Sequence, residues 1–144
     1  MPLFNGTAHA CTIKEFTSMR LPFNSVHLSN ADRLSIVNSV LEARKWPDVD
    51  VQAVIIAGAY VGERNGEKLK SERAAVVRAY LMQLGIKREN ILIDPKTLTD
   101  EMVKKPDGSL NLYQIEIELV PLCKGSCESL CNDPRVTPRS KAIR

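Results

Sequence analysis

Apolar positions along this chain recur with two periods, near 3.6 and near 2 residues, and the switches between them mark out the elements. In MRLPFNSVHL, Leu21 and Phe23 alternate with polar neighbours and predict a strand. Pro22 makes it an edge strand or a strand start, because proline cannot donate to a ladder. In LSNADRLSIVNSVLEARKWPD, Ser29 and Asp32 have capping-box spacing. Leu34, Val37 and Leu41 then recur at helical spacing, Trp46 reads as a helix-end packing residue, and Pro47 closes the segment. VQAVIIAGAYV is apolar on both faces, as a central strand buried on two sides must be.

A second helix is predicted over 67–84, with a stripe of Leu69, Val76, Val77, Tyr80, Leu81 and Leu84 and a stop at Gly85. NILIDP reads as a short third strand and KKPDGS as a turn. In LNLYQIEIELV, Tyr113, Ile115, Ile117 and Leu119 fall on one face, and Gln114, Glu116 and Glu118 on the other. That alternation describes a half-exposed antiparallel strand.

The order is therefore β-α-β-α-β-β. Right-handed crossovers place both helices on one face of the sheet. The predicted fold class is α/β, a two-layer sandwich of two helices on a four-stranded mixed sheet. The predicted organisation is an N-terminal arm over 1–18, a domain over 19–121 and a cysteine-containing tail over 122–144, held by disulfides as a C-terminal appendage.

Composition narrows the class. A chain of 144 residues with 44% hydrophobic and 26% charged residues fits one soluble domain. A net charge of +3 is modest and, with cations not interleaved with aromatics, does not argue for a nucleic-acid partner; none is expected. The tail RVTPRSKAIR carries four cations and no acid, and reads as a solvated end. No run is long enough to span a bilayer. MPLFNGTAHAC lacks the cationic segment of a signal peptide, so either the protein is cytosolic or an export signal has been removed ahead of it.

The four cysteines favour export. Cys11 stands near one end, and Cys123, Cys127 and Cys131 near the other. An even number confined to the two ends reads as staples on a small exported domain. Zinc is disfavoured, because Cys-x-x-Cys knuckles are absent and His9 and His27 are distant in sequence. Each of the three possible pairings joins Cys11 to one of the trio and closes a small loop with the other two. AHAC also resembles the end of a lipoprotein signal, without its usual leucine.

Catalysis finds no support. Neither histidine has a recognisable nucleophile, and there is no Gly-x-Ser-x-Gly elbow or phosphate loop. Glu116 and Glu118 read as solubilising acids. No cofactor and no metal are expected. The position that stands out is Arg73, near the start of the second helix and in line with its apolar stripe. Arginine there either snorkels to a nearby acid, with Glu63, Glu67 and Glu72 available, or grips a carboxylate at the helix mouth.

LPFNSVHLSNADRLSIVNSVL resembles the opening of an OmpA-like domain, the peptidoglycan-associated module of outer-membrane protein A. VIIAGAYV resembles that family's central strand before Gly-x-Thr-Asp. LKSERAAVVRAYLMQLGI resembles its Leu-Ser-x-x-Arg-Ala helix, and LYQIEIEL its closing strand. The likeness runs from about Met19 to Val120. It implies a non-catalytic periplasmic domain, associated with the outer membrane, that binds the diaminopimelate carboxylate of peptidoglycan stem peptides.

Carried across, the family's ligand-gripping arginine falls on Arg73. Its loop aspartate falls on Val61, its serine on Lys70, and a common strand arginine on Gln114. The loop is about three residues shorter than the family pattern, and Glu63 restores an acceptor if it folds back. Candidate ligand-binding residues are therefore Arg73, Tyr60, Val61, Glu63, Asn65 and Lys70. Tyr60 reads equally as a pocket wall or as a packing aromatic. Lys68, Lys70 and Arg78 also read as solvated helix positions. The altered loop and stapled tail fit a second class equally well, a protein-binding module such as an inhibitor or immunity protein for a secreted toxin.

Overall fold

The computed structural model describes residues 11–136 together with 138, 140 and 141, without the side chains of 11, 140 and 141. Its main elements are β2 (Glu15–Met19), α1 (Asn30–Ala43), β3 (Asp50–Tyr60), α2 (Gly66–Gln83), β4 (Ile91–Leu98) and β5 (Ile115–Leu122). Shorter pieces are β1 (Cys11–Thr12), α3 (Asp100–Val103), α4 (Glu128–Cys131) and β6 (Ser140–Lys141). Among the described residues, β2, β5, β3 and β4 form one sheet in that order. The β2–β5 and β5–β3 pairs are antiparallel and β3–β4 is parallel. Both helices pack on one face, α1 over β2 and β5, and α2 over β3 and β4. The predicted α/β sandwich is the fold.

The first strand lies ahead of the predicted segment. Residues 20–28 have no strand pairing and run as a loop. Pro22 and the left-handed Asn24 (φ 64°) account for this, because neither suits a ladder. Leu21 is still buried within that loop.

In α1 the cap forms as read: Ser29 Oγ accepts from Asp32 N at 3.0 Å, and Asp32 Oδ2 accepts from Ser29 N at 3.0 Å. The buried face, however, is Ile36, Val40 and Ala43. Leu34 and Leu41 are 60% and 49% exposed. The helix carries apolar residues on two faces with the same period, so periodicity fixed the helix but not its phase. The buried set includes Ala43, whose small side chain permits close approach to the sheet. Burying Ile36 and Val40 contributes about 1.5–3 kcal/mol each.

β3 is the central strand. Ala53, Ile55 and Ala57 point into the helical face and join the core with Val77 and Leu81 of α2 and with Ile115, Ile117 and Leu119 of β5. β4 is longer than predicted and forms the sheet edge, with Asp94, Pro95 and Lys96 side by side on it. Beyond the ends of β3 and β4, a smaller apolar cluster of Tyr60, Leu98, Val103 and Leu112 sits under the 99–112 connection.

The appendage is stapled as expected by Cys123–Cys127, which closes a small loop. Cys131 is also disulfide-bonded. β1 pairs antiparallel with β6, bringing the two described ends of the chain together. The expectations for the AHAC motif, His9, the Cys11 and Lys141 side chains, and the tail cations Arg139 and Arg144 lie outside what the structure describes.

Candidate functional site

Arg73 lies about two turns into α2, and its phase on that helix directs it inward. The side chain has no exposed surface. Its fork closes on one carboxylate: Nη1 donates to Glu63 Oε1 at 3.0 Å and Nη2 to Glu63 Oε2. Nη1 also donates to the Gly58 carbonyl at 2.9 Å, and Nε to the Ser25 carbonyl at 2.9 Å. Glu63 is equally engaged. Its Oε1 accepts from Tyr60 N at 2.9 Å and its Oε2 from Asn24 N at 2.8 Å. The Glu63 side chain is likewise without exposed surface.

A carboxylate taken out of water is driven towards its neutral form. Burial works in that direction at Glu63, but the hydrogen bonds from Arg73, Tyr60 and Asn24 and the Arg73 charge outweigh it. The net effect holds the carboxyl below its ordinary range. The Glu63 carboxylate is thus held ionised; each of its oxygens accepts two hydrogen bonds from within the chain, and Arg73 donates four.

The backbone is shaped to allow this. Asn24 and Asn65 both adopt the left-handed conformation (φ 64° and 54°), which asparagine tolerates better than most residues. Asn24 Oδ1 also accepts from Arg64 N at 2.7 Å, tying the 20–29 loop to the loop that carries Glu63. At Gly58 there is no room for a side chain. A Cβ there meets Leu98 Cδ1 at 2.9 Å and the Gln114 carbonyl at 3.2 Å.

Gln114 was expected on the open face and is instead 1% exposed. The chain bends at 114, just before β5, and this breaks the alternation. Its amide pairs with the Leu21 backbone in both directions, Nε2 to the carbonyl at 2.7 Å and Oε1 from the N–H at 2.9 Å. A side chain thereby extends the β2–β5 pairing past the end of β2 and fixes the loop that supplies Asn24 and Ser25.

The remaining predicted site residues are dispersed. Tyr60 is buried; its O–H donates to Asp100 and its ring meets Phe23 at 5.7 Å between centroids. The Asp100 hydrogen bond, then burial and the Asp100 charge, hold its phenol above the ordinary value. Val61 is 54% exposed, and its N–H donates to the Leu98 carbonyl at 3.0 Å. Lys70 is not a solvated position: it is buried, and Nζ donates to Glu67 Oε2 and Thr97 Oγ1, each at 2.6 Å.

Outside the closed pair lies an open hollow of about 320 Å³, lined by Asn24, Arg64, Asn65, Lys68, Leu69 and Glu72. Of the predicted ligand residues, Asn65 alone lines it. Sequence reasoning passed over Asn24, Ser25 and Asp100. Asn24 carried a signal, an asparagine in a proline-bounded loop. The Ser25 contribution is a backbone carbonyl, which no residue type announces.

No protein-family model and no curated protein matches the sequence. Among solved structures, the chain is similar to the OmpA-like domain of FopA1 from Francisella tularensis subsp. tularensis SCHU S4. The TM-score is 0.51 with 17% identity, over 78% of this chain and 79% of that one. With two helices on one face of a β2-β5-β3-β4 sheet, the chain has the fold of an OmpA-like domain.

Proposed function

We propose that the chain is a non-catalytic binding domain of the cell envelope, working in the periplasm, whose partner is a protein. An inhibitor or immunity protein for a secreted toxin is one such role. The observation that carries this reading is the closed fork: Glu63 occupies the Arg73 guanidinium in the way a ligand carboxylate would. The fold likeness and the disulfide-stapled tail support the envelope location, since disulfides persist in oxidising compartments.

A second reading keeps peptidoglycan as the ligand. It is favoured by Arg64 and Lys68 in the hollow beside the pair, where a stem-peptide carboxylate could be held. Sedimentation with purified diaminopimelate-type sacculi separates the two. The first reading expects the protein to stay in the supernatant. Retention that is competed by free diaminopimelate and lost in Arg64→Ala or Lys68→Ala overturns it in favour of the second.

A further inference from the structure

The opposite end of the sheet holds a second cavity, and the Arg73 reading plays no part in it. The last turn of α1, the 44–49 loop, the start of β3 and the 84–90 connection enclose about 200 Å³. Ala43, Trp46, Val51 and Ile86 are among its walls. Trp46, the single tryptophan, is 5% exposed. An apolar cavity of about 150 Å³ accommodates benzene, so this one has room for a ring with a short chain.

The mouth is polar and asymmetric in charge. Lys87 Nζ pairs with Asp50 Oδ2 at 3.0 Å, which neutralises both. Arg44 is exposed and has no acidic partner among the described residues. One of its nitrogens, Nη2, donates to the Leu84 carbonyl at the end of α2. Gly85 leaves the space for it: with φ 99° it terminates the helix, and a Cβ there meets Arg44 Nη2 at 3.0 Å. The result is a hollow with both apolar and polar walls, Trp46 among the apolar ones, and at its rim one guanidinium with no acidic partner among the described residues. Guanidinium is suited to bidentate contact with a carboxylate.

We propose that this cavity binds a small amphiphilic carboxylate, with an aromatic or branched aliphatic body against Trp46 and its carboxylate on Arg44. The test is titration of the intact, oxidised protein with phenylacetate, followed by Trp46 emission, with benzyl alcohol as the neutral comparison. Phenylacetate is expected to give a saturable change and to bind about tenfold more tightly than benzyl alcohol. Arg44→Gln is expected to remove that preference, bringing phenylacetate down to the affinity of benzyl alcohol. Ala43→Leu, which fills the cavity, is expected to abolish both. If Ala43→Leu does not fold, amide chemical shifts of the wild type replace it, with changes expected in 40–51 and 84–90. The proposal is overturned by the absence of a saturable change up to roughly 10 mM phenylacetate. It is equally overturned by equal phenylacetate affinity in Arg44→Gln, or by shifts centred elsewhere.

Discussion

Two arginine–carboxylate pairs in this chain are both two-pronged, one end-on through Nη1 and Nη2 and the other side-on through Nε and Nη2, and they differ most in their surroundings. Arg73 and Glu63 meet through two parallel contacts with neither side chain exposed. Arg135 and Asp133 also meet through two contacts, Nε to Oδ1 at 3.0 Å and Nη2 to Oδ2 at 2.8 Å, with the arginine side chain 65% exposed. The surface pair joins residues two apart in sequence and competes with water. The buried pair joins a loop to a helix, and the N–H groups of Asn24 in a loop and of Tyr60 at the end of β3 depend on it. Contact geometry alone therefore says little about what a pair holds together; burial and the further hydrogen bonds each partner makes decide it.

The largest effect expected from this contrast is Arg73→Met. It leaves a buried Glu63 carboxylate without its cation, at a cost of about 3–5 kcal/mol. Arg135→Met is expected to lower the urea midpoint only slightly at low salt. Equal losses in the two variants break the comparison.

Next comes Glu63→Ala, which opens the fork and is expected to lose about 3 kcal/mol. Added acetate is expected to raise its thermal midpoint saturably, because a free carboxylate can take the vacated place. No such rise is expected in the wild type or in Arg135→Met. A rise of equal size in all three points to a general salt effect.

Gln114→Leu sharpens the picture with a neutral brace at the same end. It strands the Leu21 N–H and carbonyl in a buried setting, for a loss of about 1–3 kcal/mol, readable in a denaturant melt.

Acid supplies a smaller effect with a defined sign. The Glu63 carboxyl is lowered from 4.5 in the folded protein, so its contribution is present above that value. It is lost as pH falls through the depressed folded value, because the unfolded chain takes up the proton first. The wild type is expected to lose stability across that window, and Glu63→Gln to show a flatter slope there. Asp133 is lowered to about 2, chiefly by its hydrogen bond from Arg135.

Smallest is the response to salt. The Debye length shortens from about 10 Å at 0.1 M to about 3 Å at 1 M. The dependence of stability on Arg135 is expected to vanish over that range. The dependence on Arg73 is expected to persist.

The element order was legible because each period in the sequence matches one kind of element. β3 and β5 announce themselves through Ala53–Ile55–Ala57 and Ile115–Ile117–Leu119. The phase of α1 was not legible, since Leu34 and Leu41 make as good a stripe as Ile36 and Val40. The position of Arg73 was readable, and Glu63 could be named as a partner. The state of the site was less so. Its closure depends on backbone groups of Gly58, Ser25, Tyr60 and Asn24, and backbone groups are common to almost every residue. Gln114 was misplaced for a related reason: alternation fails where the chain bends, and the bend is held by a contact 93 residues away in sequence.

β4 offers an outer edge eight residues long, with Leu92 and Ile93 exposed. An edge of that kind is a template for a foreign strand and a starting point for fibrils. Here Asp94, Pro95 and Lys96 interrupt it with two opposite charges and a missing donor. These features disfavour growth of the sheet by addition of like molecules, so a long strand can stay open on one side without serving as a template.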